Sequence, residues 1–134
     1  MAMTSPTDVV LALYRAIEKG DHGTALARHF TDDATTREHP NLVSPSGGEY
    51  DLAAILQGSE RGAALLTSQR YDVQSIQEVG DLAISRLTWT GTVASSNAAL
   101  AERRLVAHIT QFVTVRDDRI ARIETYDCYE PLTP

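Results

Sequence analysis

Apolar residues recur at helical spacing through Val9, Val10, Leu13, Ala16 and Ile17, between Ser5-Pro6-Thr7-Asp8 and Gly20. Ser5 supplies a capping hydroxyl, Pro6 suits a first turn, Asp8 meets the positive end of the dipole, and glycine stops the helix. The pattern predicts an amphipathic helix with Leu13 in its buried stripe and Tyr14 at the edge. Asp21 predicts the cap of a second helix, on which Ala25, Leu26 and Phe30 share a face. Thr31-Asp32-Asp33 reads as a turn. Ala34 to Glu38 reads as a short strand closed by His39-Pro40, and Asn41 to Tyr50 as a loop holding Pro45, Gly47 and Gly48. Helical character returns between Asp51 and Leu66, where Gly58 and Gly62 predict two short pieces.

From Tyr71 the period changes. Runs rich in β-branched and aromatic residues cover Tyr71 to Val79, Leu82 to Val93, Arg103 to Val115 and Arg119 to Tyr129. Gly80-Asp81 and Asp117-Asp118 are two-residue turn signals, so the runs pair as two hairpins joined by Ser95 to Glu102. Helices first and an antiparallel meander afterwards make an α+β domain with helices packed on one sheet face.

Pairing Arg116 with Arg119 across the second turn sets His108 opposite Asp127, Thr110 opposite Thr125 and Phe112 opposite Ile123 on one face. Ile109, Gln111 and Val113 then point the other way with Tyr126, Glu124 and Arg122. In the preceding strand Ala83, Ser85, Leu87 and Trp89 share a face, opposite Arg86, Thr88 and Thr90. A one-residue bulge would break this register.

Composition narrows the function classes. The chain has 134 residues, 43% hydrophobic and 22% charged, with a net charge of −6. These values fit one domain spanning 1–134, and the acidic balance argues against a nucleic-acid partner or a basic membrane patch. No apolar run approaches a membrane span and no signal peptide is visible, so a cytoplasmic location is expected. One cysteine, Cys128, excludes an internal disulfide framework. Four histidines without HxH or HxxxH spacing give no support to a metal site, and no phosphate loop is present; no cofactor is expected. His22 and His29 read as solvent-facing.

Two polar groupings carry candidate chemistry. A carboxylate facing His108, at Asp127, would orient the imidazole and raise its pKa, giving a proton carrier near neutral pH. Alternatively the pair is a stabilising cross-strand contact. At the end of the short strand Glu38 and His39 point to opposite sides, so only one of them can face an interior pocket. Trp89 suits an apolar pocket wall with one polar handle.

The capped helix ending in Gly20-Asp21, the segment Ala25-Leu26-Ala27-Arg28-His29-Phe30-Thr31-Asp32-Asp33-Ala34 and the closing strand from Arg119 to Asp127 resemble the nuclear transport factor 2-like superfamily. SnoaL-like and ketosteroid-isomerase-related domains are the branch they look nearest to. The resemblance covers nearly the whole chain. It implies a cone: a strongly curved mixed or antiparallel sheet wrapped around three N-terminal helices, an internal apolar pocket, and a homodimer through the outer sheet face. The catalytic carboxylate of the isomerase branch falls on Glu38 or His39, depending on the end of the motif used for counting. Its oxyanion tyrosine falls on Leu13, next to Tyr14, and its oxyanion aspartate on Thr110, so two of three isomerase groups are missing. The last-strand carboxylate of cyclase-like members looks like Asp127. The resemblance sets Leu87, Trp89, His108, Thr110, Ile123 and Asp127 on the pocket side.

Two functions are expected to compete. One is a cofactor-independent acid–base enzyme of isomerase or cyclase type, acting on a small apolar carbonyl-containing ligand. Asp127 and His108 would shuttle the proton, Glu38 or His39 would assist, and Leu13, Tyr14, Leu87, Trp89, Thr110, Phe112, Ile123 and Thr125 would line the pocket. The other is a non-catalytic binding or accessory dimer. Epoxide hydrolysis needs an arginine between two carboxylates, and the register sends Arg86 and Arg122 outward. Ile84, Ile109, Val113, Val115, Ile120 and Tyr126 are expected to form an apolar outer face that a second copy covers.

Overall fold

A computed structural model of the chain describes residues 4–94 and 103–132; the expected link Ser95–Glu102 lies outside the described residues. The first helix, α1, spans Pro6–Glu18. Ser5 Oγ accepts from Asp8 N at 3.1 Å and the Asp8 carboxylate accepts from Ser5 N at 3.4 Å, a reciprocal cap. Val9, Val10, Leu13, Tyr14 and Ala16 are buried, as the spacing requires.

The second expected helix is instead a 3₁₀ segment, Gly23–His29, without a side-chain cap. Gly23 has φ +58, which breaks helical continuity, and Asp21 pairs with Arg28 rather than capping. His29 is half-buried, not solvent-facing, and its Nε2 has no hydrogen-bond partner among the described residues. Strand β1, Phe30–Glu38, starts four residues before the predicted strand and absorbs the predicted turn. The last three residues of the predicted loop, with Asp51, form β2 (Gly48–Asp51), antiparallel to β1. Helix α2, Leu52–Leu65, is continuous. Leu52, Ile55 and Leu56 pack against the core, and this contact outweighs the roughly 1 kcal/mol that each of Gly58 and Gly62 costs a helix.

Strands β3 (Leu66–Val79), β4 (Leu82–Val93), β5 (Arg104–Arg116) and β6 (Arg119–Tyr129) complete one six-stranded mixed sheet. Its order is β2-β1-β6-β5-β4-β3, with β1 parallel to β6 and every other pairing antiparallel. The sheet stays open, and the helices pack on one face in the cone-like α+β arrangement. Both predicted two-residue turns form. Asp117 and Asp118 have φ 54 and 60, left-handed at both central positions of a tight hairpin.

The β5–β6 register differs from the expected one. Arg116 pairs with Arg119 and Val115 with Ile120, but Thr114 then pairs with Arg122, leaving Ala121 as an extra residue. This bulge advances β6 by one position, so His108 faces Cys128 and Asp127 faces Ile109. The inward set from β5 is therefore Leu105, Ala107, Ile109, Gln111, Val113 and Val115, while His108, Thr110 and Phe112 point outward. From β6, Ile123, Thr125 and Asp127 point inward as expected. Ile109, Val113, Val115 and Ile120, expected on the outer face, belong to the core. Of the six residues expected there, Ile84 and Tyr126 are the two outside it.

Candidate active site

Between α2 and the concave face of the sheet lies a cavity of about 420 Å³, within the range of small-molecule sites. Thr36 and Glu38 reach it from β1, Tyr50 from β2, Gln69 and Tyr71 from β3, and Trp89 from β4. Ile109 and Gln111 come from β5, and Thr125, Asp127 and Tyr129 from β6. Ala54, Ile55, Gly58 and Arg61 of α2 form the remaining wall. The apolar pocket of the sequence reading is in fact a mixed one, with carboxylates, amides and phenols among its walls.

Strand alternation and the Ala121 bulge deliver Asp127. Its Oδ1 accepts from Thr125 Oγ1 at 2.5 Å, two residues earlier on the same face. Burial pushes the Asp127 carboxyl above the usual carboxylate range. The Thr125 hydrogen bond opposes that rise, and the charge of Glu38 adds to it. Three phenols feel the Asp127 charge. Burial pushes Tyr14 and Tyr129 up to about 12 and raises Tyr71 as well, so all three stay protonated donors at neutral pH. Tyr14 and Tyr71 stack with centroids 4.6 Å apart.

Glu38 is held at the end of β1. Asn41 Nδ2 donates to its Oε2 at 3.0 Å, and the Tyr50 hydroxyl lies 3.4 Å from its Oε1. Asn41 is itself fixed because its Oδ1 accepts from Val43 N and Ser44 N at 3.0 and 2.9 Å. Glycine is needed twice beside this carboxylate. A Cβ at Gly47, whose φ is +62, would run into the Glu38 carbonyl, and one at Gly48 would lie 2.5 Å from the Tyr50 hydroxyl. Across the cavity, Trp89 Nε1 donates to Gln69 Oε1 at 3.1 Å. Gly91 leaves room for the indole, since a Cβ there would lie 2.5 Å from Trp89 Cη2.

Of the expected site residues, Glu38, Asp127, Trp89 and Thr125 meet in this cavity. Leu13, Leu87 and Ile123 sit in the hydrophobic core. Tyr14 is buried and bonds Gln111, one of the lining residues, at 2.7 Å. The alternative at the strand end resolves to Glu38. His39 lies on the outer face, 2.8 Å from Glu124 and stacked on Tyr126 with centroids 4.1 Å apart. His108 is exposed and pairs with Glu130 at 2.8 Å, so the expected His108–Asp127 dyad does not form. Thr110 and Phe112 are also on the outer face, Phe112 edge-on to Tyr126. The bulge moves all three away.

Sequence reasoning missed Gln111, Tyr71, Tyr129, Asn41, Tyr50, Gln69 and Arg61. Tyr129 had a signal, because it follows Asp127 by two residues and must share its face. Arg61 comes from α2 and lines a cavity that also holds two carboxylates, which overturns the expectation that no arginine reaches the pocket. Among the described residues no cluster of His, Cys, Asp and Glu could hold a metal ion, and no helix is long and apolar enough to cross a membrane.

The family profile of the SnoaL-like domain matches residues 10–123. The chain belongs to the SnoaL-like domain family. No curated protein matches it. Among solved structures it is similar to IdmH from Streptomyces antibioticus, a candidate polyketide cyclase, at 26% identity and a TM-score of 0.74, covering 91% of each chain. It is also similar to AclR from Streptomyces galilaeus, a candidate hydroxylase, at 16% identity and a TM-score of 0.75, over 94% of this chain and 80% of that one. A further SnoaL-like structure, from Shewanella putrefaciens, shares 9% identity at a TM-score of 0.73, over 91% of this chain and 79% of that one. The last two likenesses carry the fold alone. As a SnoaL-like domain the chain has a fold of the cyclase and isomerase type.

Proposed function

We propose that the chain is a cofactor-independent acid–base enzyme of isomerase or cyclase type, acting on a small carbonyl compound with an apolar body and polar substituents. The observation that carries this reading is the Asp127 carboxyl, raised by burial, inside a cavity that the neutral phenols of Tyr71 and Tyr129 also line. Asp127 takes a proton from the carbon next to the carbonyl. The electron pair of that C–H bond becomes the C=C bond of the enolate and the carbonyl π pair moves onto oxygen, where the Tyr129 or Tyr71 hydroxyl donates to the developing charge. Asp127 then returns the proton to carbon. Glu38 acts through its charge, which keeps Asp127 basic. His108 and His39 take no part. A homodimer through the outer sheet face, around Phe112, Tyr126 and His39, and a cytoplasmic location belong to the same reading.

The test uses cyclic 1,3-dicarbonyl compounds in D₂O, with exchange of the acidic C–H followed by proton NMR. The wild type is expected to accelerate exchange and Asp127→Asn to lose the acceleration. Compounds that raise the melting temperature yet exchange at the uncatalysed rate would instead establish a binding module.

A further inference from the structure

A chain of hydrogen bonds runs from α1 across the sheet to the Asp127 carboxylate. The Tyr14 hydroxyl lies 2.7 Å from Gln111 Oε1 and 3.1 Å from Ser85 Oγ, and Ser85 is fully buried. Gln111 Nε2 donates to Thr125 Oγ1 at 3.2 Å, and Thr125 donates to Asp127 Oδ1 at 2.5 Å. Each hydroxyl has one hydrogen, so the chain has one consistent direction. Ser85 donates to Tyr14, Tyr14 to Gln111, Gln111 to Thr125, and Thr125 to Asp127. If the Gln111 amide turned over, its oxygen would face Thr125 and compete for the hydroxyl hydrogen that Asp127 now receives. Its NH₂ would face the Tyr14 oxygen, and Tyr14 would donate to Ser85.

We propose that Gln111 is a positioning residue whose amide orientation, with Oε1 accepting from Tyr14 and Nε2 donating to Thr125, makes Asp127 the final acceptor of the chain. This holds Oδ1 and leaves Oδ2, which has no partner among the described residues, for the ligand. The functional weight of this arrangement rests on the acid–base reading above, but the arrangement itself does not. Other groups around Asp127 are Glu38 from β1, Tyr71 from β3 and Tyr129 from β6, with Tyr50 of β2 and Arg61 of α2 in the same cavity. None of them bonds Gln111 or Thr125 among the described residues.

The experiment follows the Asp127 carboxyl by ¹³C NMR titration of the intact protein, with no substrate present. Gln111→Glu replaces the amide with a group that only accepts when ionised and so draws the Thr125 hydrogen away from Asp127. The Asp127 midpoint is expected to rise by about one pH unit more than in the same substitution made on a Thr125→Val background, the scale of one hydrogen bond to a charged group. The added charge acts in both backgrounds, so the difference isolates the chain. Tyr14→Phe, which adds no charge, is expected to give a smaller rise that also vanishes with Thr125→Val. Equal shifts in the two backgrounds, or no shift, would overturn the proposal. Expected shifts combined with full turnover in Asp127→Asn would keep the chain and reject Asp127 as the group that moves the proton.

Discussion

The Thr125 hydroxyl and Asp127 Oδ1 lie 2.5 Å apart on one face of β6, and their bond works against the burial that raises the carboxyl. Asp127 therefore stands between two opposing influences, with burial the larger. A carboxylate in that balance is costly to the fold and useful to proton transfer.

Asp127→Asn is expected to lower turnover by about 10²–10⁴-fold, the usual contribution of a general acid–base group. The fold should not suffer. Because the folded-state pKa is raised, the native state holds the Asp127 proton to higher pH than the unfolded chain does. Stability from this group is then greatest below the unfolded-state range and falls as pH rises through the window up to the folded value. At pH 7 the asparagine variant is expected to melt at or above the wild-type temperature, and a large drop on a calorimetric scan would contradict this.

Tyr14 makes the opposite end of the pH range informative. Its folded value of about 12 lies above the ordinary 10.0, so the unfolded chain ionises first. Stability is complete below about 10 and declines as pH climbs toward 12. Tyr14→Phe should cost about 1 kcal/mol at neutral pH through the lost hydrogen bonds, yet flatten the alkaline decline. Circular dichroism between pH 8 and pH 12 reads both effects.

Gly91 and Trp89 form a steric pair. A methyl group at Gly91→Ala would collide with the indole, forcing Trp89 out of its place against Gln69. The expected loss is about 1–3 kcal/mol, with a shift in tryptophan emission, since Trp89 is the chain's single tryptophan. Unchanged emission and unfolding would show that the strand relaxes instead.

His108→Gln is expected to leave turnover intact, because the imidazole is exposed and paired with Glu130 on the far face of the sheet. The surface contact it removes, with Glu130, is worth at most about 1 kcal/mol. A large loss of activity would mean that His108 reaches substrate after all.

Much of the architecture was readable from local chemistry. The Ser5 cap, the two tight turns and the alternation in β4 each depend on residues close in sequence, so Ala83, Ser85, Leu87 and Trp89 fell on the correct face. What escaped depended on tertiary contact. Strand β2 is four residues long and forms because β1 offers an edge, and α2 stays whole because its apolar face is covered. Of the cavity walls, Asp127, Glu38 and Trp89 were expected there from residue type and position. His108 was misplaced by one inserted residue that no turn rule foretells. Gln111 went unnoticed because the same slip turned it outward, away from the carboxylate it serves.

Ala121 gives the molecule a parity. Side chains on a strand alternate in and out, so one uncounted residue exchanges the two sets for everything beyond it. With the bulge, β6 offers the cavity Thr125, Asp127 and Tyr129; without it, the same span would offer Glu124, Tyr126 and Cys128. Drawing Ala121 into the ladder as an ordinary paired residue would thus trade a carboxylate, a hydroxyl and a phenol for a different carboxylate, a phenol and a thiol, with no residue of the chain altered. The chemistry presented to a ligand is decided by an alanine that has none of its own.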